Sequence, residues 1–206
     1  MSKDTPEADK VTTAKADSEA AAAEPDITPI ERPAAARDFD FLLGRWRVRH
    51  KRLKERLAGC DATDPRNWTA FETDHECWHI LGGLGNVDRA WGEFAGAYYE
   101  GVSIRSFAAD PAHPRGGEWL IYWLDTGNPA PAFQVRGNFD EGGEAGEFFG
   151  EDEMNGTAYP LRFRWWRLGP GWARWDQAFK LPDTADGEAG KEQWEVNWVM
   201  EFERVE

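Results

Sequence analysis

Ten short stretches rich in Val, Ile, Phe, Tyr and Trp follow one another from Arg45 to the C-terminus, each closed by turn formers. They fall at residues 45–57, 68–81, 84–91, 98–107, 119–125, 133–140, 144–154, 159–168, 172–180 and 193–205. Between them stand Gly82-Gly83, Gly116-Gly117, Gly142-Gly143, Asn155-Gly156 and Gly169-Pro170-Gly171. No segment after Leu43 has the spacing of an amphipathic helix. Strands joined by such short turns pair antiparallel with their neighbours in sequence. A long meander leaves two open edges unless it closes. The predicted fold is therefore all-β, an antiparallel up-and-down β-barrel of about ten strands. A two-sheet sandwich is the alternative.

The barrel begins where aromatic residues begin. All 12 Trp, 12 Phe and 4 Tyr lie after residue 38. Residues 1–37 are rich in Ala, Glu, Asp, Lys and Pro, with nothing to bury, and are expected to form a disordered leader. The domain is then 38–206. Asp38 is placed to N-cap one helical turn over residues 39–43, which Gly44 ends. In the next strand Trp46, Val48 and His50 alternate with Arg45, Arg47, Arg49 and Lys51, so one face is dry and the basic face is wet.

Gly44-x-Trp46 after a short helical turn, with Arg204 near the end of the last strand, resembles the calycin superfamily of lipocalins and fatty-acid-binding proteins. FDFLLGRWRVRH, LGGLGNVD (81–88), IYWLD (121–125) and the C-terminal WEVNWVMEFERV together resemble a bacterial family of uncharacterised lipocalin-like proteins. The resemblance covers residues 38–206. It implies a barrel whose closed end is formed by Gly44, Trp46 and Arg204, with the guanidinium over the indole.

In a barrel of this size the default ligand site is the lumen. Inward parity on the first strand continues from Trp46 through His50 to Arg52. Counting back from Arg204 on the last strand collects Phe202, Met200, Trp198, Val196 and Trp194, against Glu203, Glu201, Asn197 and Glu195 on the other face. Phe163 and Trp165 share a face with Leu161. The expected lining is His50, Arg52, Trp123, Phe163, Trp165, Trp198 and Met200, with Trp194 also toward the lumen. A buried arginine needs a partner, so Arg52 is expected to meet a barrel carboxylate or an anionic ligand.

The functional reading is non-catalytic binding of a small, mainly apolar ligand, as a carrier or sensor. Two others stay open. One is an enzyme acting in the same lumen, an isomerase, cyclase or hydrolase with Asp125, Asp152 or Glu153 as acid–base groups. The other is a haem-binding barrel using His50, His75 or His79, or a homodimeric interaction module working through the exterior. His75, Cys77 and His79 recur every second residue, but i and i+4 of a strand lie about 13 Å apart, so the three do not chelate one ion. No cofactor or metal is expected. The net charge of −14 argues against a nucleic-acid partner and an anionic membrane. Neither a signal-peptide core nor a spanning run is present, which places the protein in the cytoplasm.

Overall fold

A computed structural model describes residues 30–130, 133–182 and 192–205. Its strands are β1 (Gly44–Leu53), β2 (Trp68–Ile80), β3 (Gly85–Phe94), β4 (Ala97–Ala109), β5 (Gly117–Asp125), β6 (Gln134–Phe139), β7 (Ala145–Met154), β8 (Thr157–Gly169), β9 (Trp172–Lys180) and β10 (Trp194–Arg204). Each pairs antiparallel with the next, and β1 pairs β10, so the sheet is a closed barrel. Closure pairs Trp46 with Arg204 and Arg52 with Trp198. At the β7–β8 hairpin Asn155 and Gly156 both have positive φ, the conformation two-residue turns require and Asn-Gly adopts most readily.

One end is stoppered. Two 3-10 turns, Ala34–Arg37 and Asp40–Leu42, lay Ala35, Ala36, Phe39 and Leu42 into it, all buried. The Phe39 ring lies 5.0 Å from those of Trp119 and Phe139 and 5.8 Å from that of Trp165. Trp46 Nε1 donates to Leu42 O at 2.6 Å and Trp119 Nε1 to Ala35 O at 2.9 Å. The Arg204 guanidinium sits 4.3 Å over the Trp46 ring and donates to Leu43 O and Phe41 O. Gly44 has φ +99, and a Cβ there would stand 3.0 Å from Arg204 Nη1. At this point both backbone and space ask for glycine.

The structure corrects several expectations. The packed chain starts before residue 38: the turn Ala34–Arg37 is part of the stopper, while the leader at residues 1–29 lies outside the described residues. Asp38 does not N-cap the second turn, whose N-cap is Phe39; it ends the first, its amide donating to Ala35 O at 3.1 Å. Its carboxylate accepts from Arg115 at 2.7 Å, and burial nevertheless raises its pKa. β1 ends at Leu53 rather than 57. The expected parity of β10 fails beyond Trp198, where a bulge inserts an extra residue between Val196 and Trp198. From there Glu195 and Asn197 are buried, and Trp194 turns outward, under the Arg162 guanidinium at 4.5 Å. Most of the connection between β9 and β10 lies outside the described residues.

Candidate functional site

The lumen above the stopper has two compartments that share a wall. The outer one, at the mouth, measures about 590 Å³ and is lined by Arg52, Arg56, Phe94, Tyr99 and Phe133 among others. The inner one has about 30 Å³ of room, lined by His75, Asp88, Ser103, Arg105, Trp165 and Met200 among others. Trp123, Gln177 and Trp198 border both. The Trp123 and Trp198 rings meet edge to face at 5.8 Å. Trp123 Nε1 is held by Asp125 Oδ2 at 3.2 Å, and Trp198 Nε1 donates to His50 Nδ1 at 3.2 Å.

That second bond fixes a tautomer. An indole N–H only donates, so His50 Nδ1 accepts and its proton is on Nε2, which donates to Thr73 Oγ1 at 2.8 Å. Burial, then the nearby charges of His75 and Arg52, push the imidazole pKa down to about 3. Both ring nitrogens are thus engaged, and neither is available to haem iron without breaking a buried bond. His75 Nε2 lies 3.1 Å from Asp88 Oδ1, and His79, at the exposed end of β2, bonds Asp40. The described residues form no group of three or more potential metal ligands.

At the mouth, the Arg52 guanidinium lies 4.5 Å over the Trp198 ring and 5.9 Å over that of Phe94. No carboxylate among the described residues stands within ion-pair distance of it, nor of Arg56. The expected carboxylate partner of Arg52 is therefore not found there. Burial lowers the pKa of Arg56. The Tyr99 hydroxyl, on a side chain almost fully buried, has no hydrogen-bond partner among the described residues, and burial raises its pKa. The acid–base candidates are occupied: Asp125 Oδ1 accepts from the amides of Gly127 and Asn128, and Asp152 Oδ1 from that of Glu153. Burial raises the pKa of Asp152, and Glu153 is exposed.

Sequence reasoning missed the inner polar cluster. Arg105 Nη1 donates to Asp88 Oδ2 and, at 3.0 Å, to Asn86 Oδ1. The guanidinium is held between the Phe39 and Trp165 rings, 5.0 and 5.5 Å from their centroids. His75, Asn86, Asp88 and Arg105 are all at most 4% exposed. Burial opposes the charge on Asp88, but Arg105 and His75 outweigh it and hold the pKa well below the usual carboxylate range. The available signal was polar residues at alternate positions, Asn86 and Asp88 on β3 and Ser103 and Arg105 on β4. Of the expected lining, His50, Phe163, Trp165 and Met200 border the inner compartment, Arg52 the outer, and Trp123 and Trp198 both. The architecture defines a closed ten-stranded antiparallel barrel with a ligand-sized mouth chamber. No protein-family model and no curated protein matches the chain. Among the described residues no helix is long and apolar enough to cross a membrane.

Proposed function

We propose that the barrel binds a small, mainly apolar molecule with an anionic group in its mouth chamber, as a lipocalin-like carrier or sensor. The observation that carries this reading is Arg52: a guanidinium held over an indole inside an aromatic chamber, with no carboxylate partner among the described residues. The chamber, at about 590 Å³, falls in the range of small-molecule sites. Phe94, Tyr99, Trp123, Phe133 and Trp198 supply apolar surface. A charge-assisted bond from Arg52 would hold the anionic end, while the aromatic wall takes the body. The resemblance to calycins favours the same reading, and a cytoplasmic location goes with it.

Titration with decanoate tests it. Tryptophan fluorescence should change saturably, and Arg52→Ala should weaken binding at least tenfold with little change in thermal midpoint. A response that does not saturate, or equal affinity for the wild type and Arg52→Ala, overturns the reading.

A further inference from the structure

Three groups bordering the inner compartment keep a buried nitrogen without a hydrogen-bond partner among the described residues: His75 Nδ1, Arg105 Nε and Trp165 Nε1. These side chains are at most 4% exposed, where an unmade hydrogen bond costs most. The Ser103 hydroxyl, 5% exposed on the same wall, also forms no side-chain hydrogen bond among the described residues. Two of the four have a fixed polarity: Arg105 Nε and Trp165 Nε1 carry hydrogen and can only donate. The other two adapt: the Ser103 hydroxyl donates or accepts, and His75 Nδ1 accepts in the neutral ring and donates in the charged one. The compartment, of about 30 Å³, is thus bordered by two fixed donors and two adaptable groups. That is the complement of one hydroxyl group, whose oxygen accepts twice and whose hydrogen donates once. The room suits it, since a water-sized group needs only ~10–15 Å³ on this measure.

We propose that the inner compartment is a hydroxyl subsite, selecting ligands that carry an alcohol or phenol at the end remote from their anionic group. This rests on the mouth-chamber reading and names the class of ligand within it: elongated hydroxy acids. The spacing is set by register. Arg52 lies six residues along β1 from Trp46, whose partner across the β1–β2 ladder is His75. Six residues span about 20 Å along a strand, or about 15 Å along the axis of a barrel with ordinary strand tilt. A ligand reaching from one site to the other would pass between Trp123 and Trp198, which border both compartments. Selectivity follows from what an unhydroxylated analogue does: it fills the passage and leaves the buried donors unpaired.

The test compares 10-hydroxydecanoate with decanoate on the full chain by fluorescence titration. The hydroxy acid should bind at least tenfold more tightly. Trp165→Phe, which keeps a ring but removes the N–H, should cut that preference, read as the ratio of the two affinities, several-fold. Ser103→Ala, a small change on the cavity wall, should also reduce it and serves if Trp165→Phe fails to fold. Equal binding of the two acids overturns the hydroxyl subsite and leaves the mouth-chamber reading standing. A preference that survives both variants overturns the subsite too, since the hydroxyl is then recognised elsewhere. If neither acid binds saturably, both proposals fall together.

Discussion

Burial, with the charges of His75 and Arg52 nearby, keeps His50 uncharged well into the acid range, its Nδ1 accepting the single N–H of Trp198. An unfolded histidine takes up a proton near pH 6.5, whereas the buried ring does so only near pH 3. Between those values the unfolded chain binds the extra proton, so stability present above about pH 6.5 is lost as pH falls, by up to ~1.4 kcal/mol per pH unit. Asp88, with its lowered pKa, adds a second loss that begins only below about pH 4. Chemical denaturation across pH should show the first slope in the wild type and lose most of it between pH 6 and 4.5 in His50→Gln. An unaltered slope in the variant would place the acid sensitivity elsewhere. At the closed end, Trp46→Ala should cost ~3–5 kcal/mol, since a 2%-exposed indole is removed and Leu42 O loses its donor. Arg204→Met should cost less, because that guanidinium is exposed. A double-mutant cycle on the pair should show coupling of ~0.5–1 kcal/mol, and none would mean the stacking contributes nothing.

Elements of this barrel differ in how firmly they are sewn together. The β1–β2 ladder runs over ten residue pairs, from Gly44 with Cys77 to Leu53 with Trp68, but β5 and β6 share only Trp119–Tyr122 with Gly137–Gln134. Trp123, Leu124 and Asp125 thus extend past the β6 ladder at the mouth. Amides of β6 should exchange with deuterium faster than those of β1, and similar protection would argue against an opening at this seam. The 3-10 turn Ala34–Arg37 is an element that sequence reasoning assigned to a leader. A stretch of Ala-Ala-Ala has no periodicity to betray that it docks; the burial of Ala35 and Ala36 and the bond from Trp119 Nε1 to Ala35 O show that it does. Deleting residues 1–37 should orphan that indole and cost at least ~2 kcal/mol, a fall of ~4–8 °C in thermal midpoint for a domain of this size. The ten strands themselves were legible because turn chemistry is local. The β10 bulge was not, since one extra residue leaves no mark in the alternation of Trp194, Val196 and Trp198 and yet turns Trp194 out and Glu195 in.

For the whole molecule, charge and site pull in opposite directions. Parity along β1 was enough to bring His50 and Arg52 to the lumen, and parity along β8 brought Phe163 and Trp165. The Asp88–Arg105–His75 cluster escaped notice because it is assembled from three strands, and pairing between strands is not written in any one of them. The net charge of −14 makes the protein as a whole repel an anionic ligand, whereas at the mouth Arg52 and Arg56 attract it against Asp125, Asp152 and Glu153 of the same lining. Range decides which is felt first. At about 0.01 M salt charges act over ~30 Å, so an approaching anion meets the field of the entire barrel; at 0.15 M the reach shrinks to ~8 Å and the local guanidinium dominates. The association rate of decanoate, followed by stopped-flow tryptophan fluorescence, should therefore rise as salt increases over this interval. The dissociation rate should change little, because the bound anion sits within a few ångströms of Arg52, where salt screens least. An association rate that falls with salt would mean that the mouth, and not the molecule, steers the ligand.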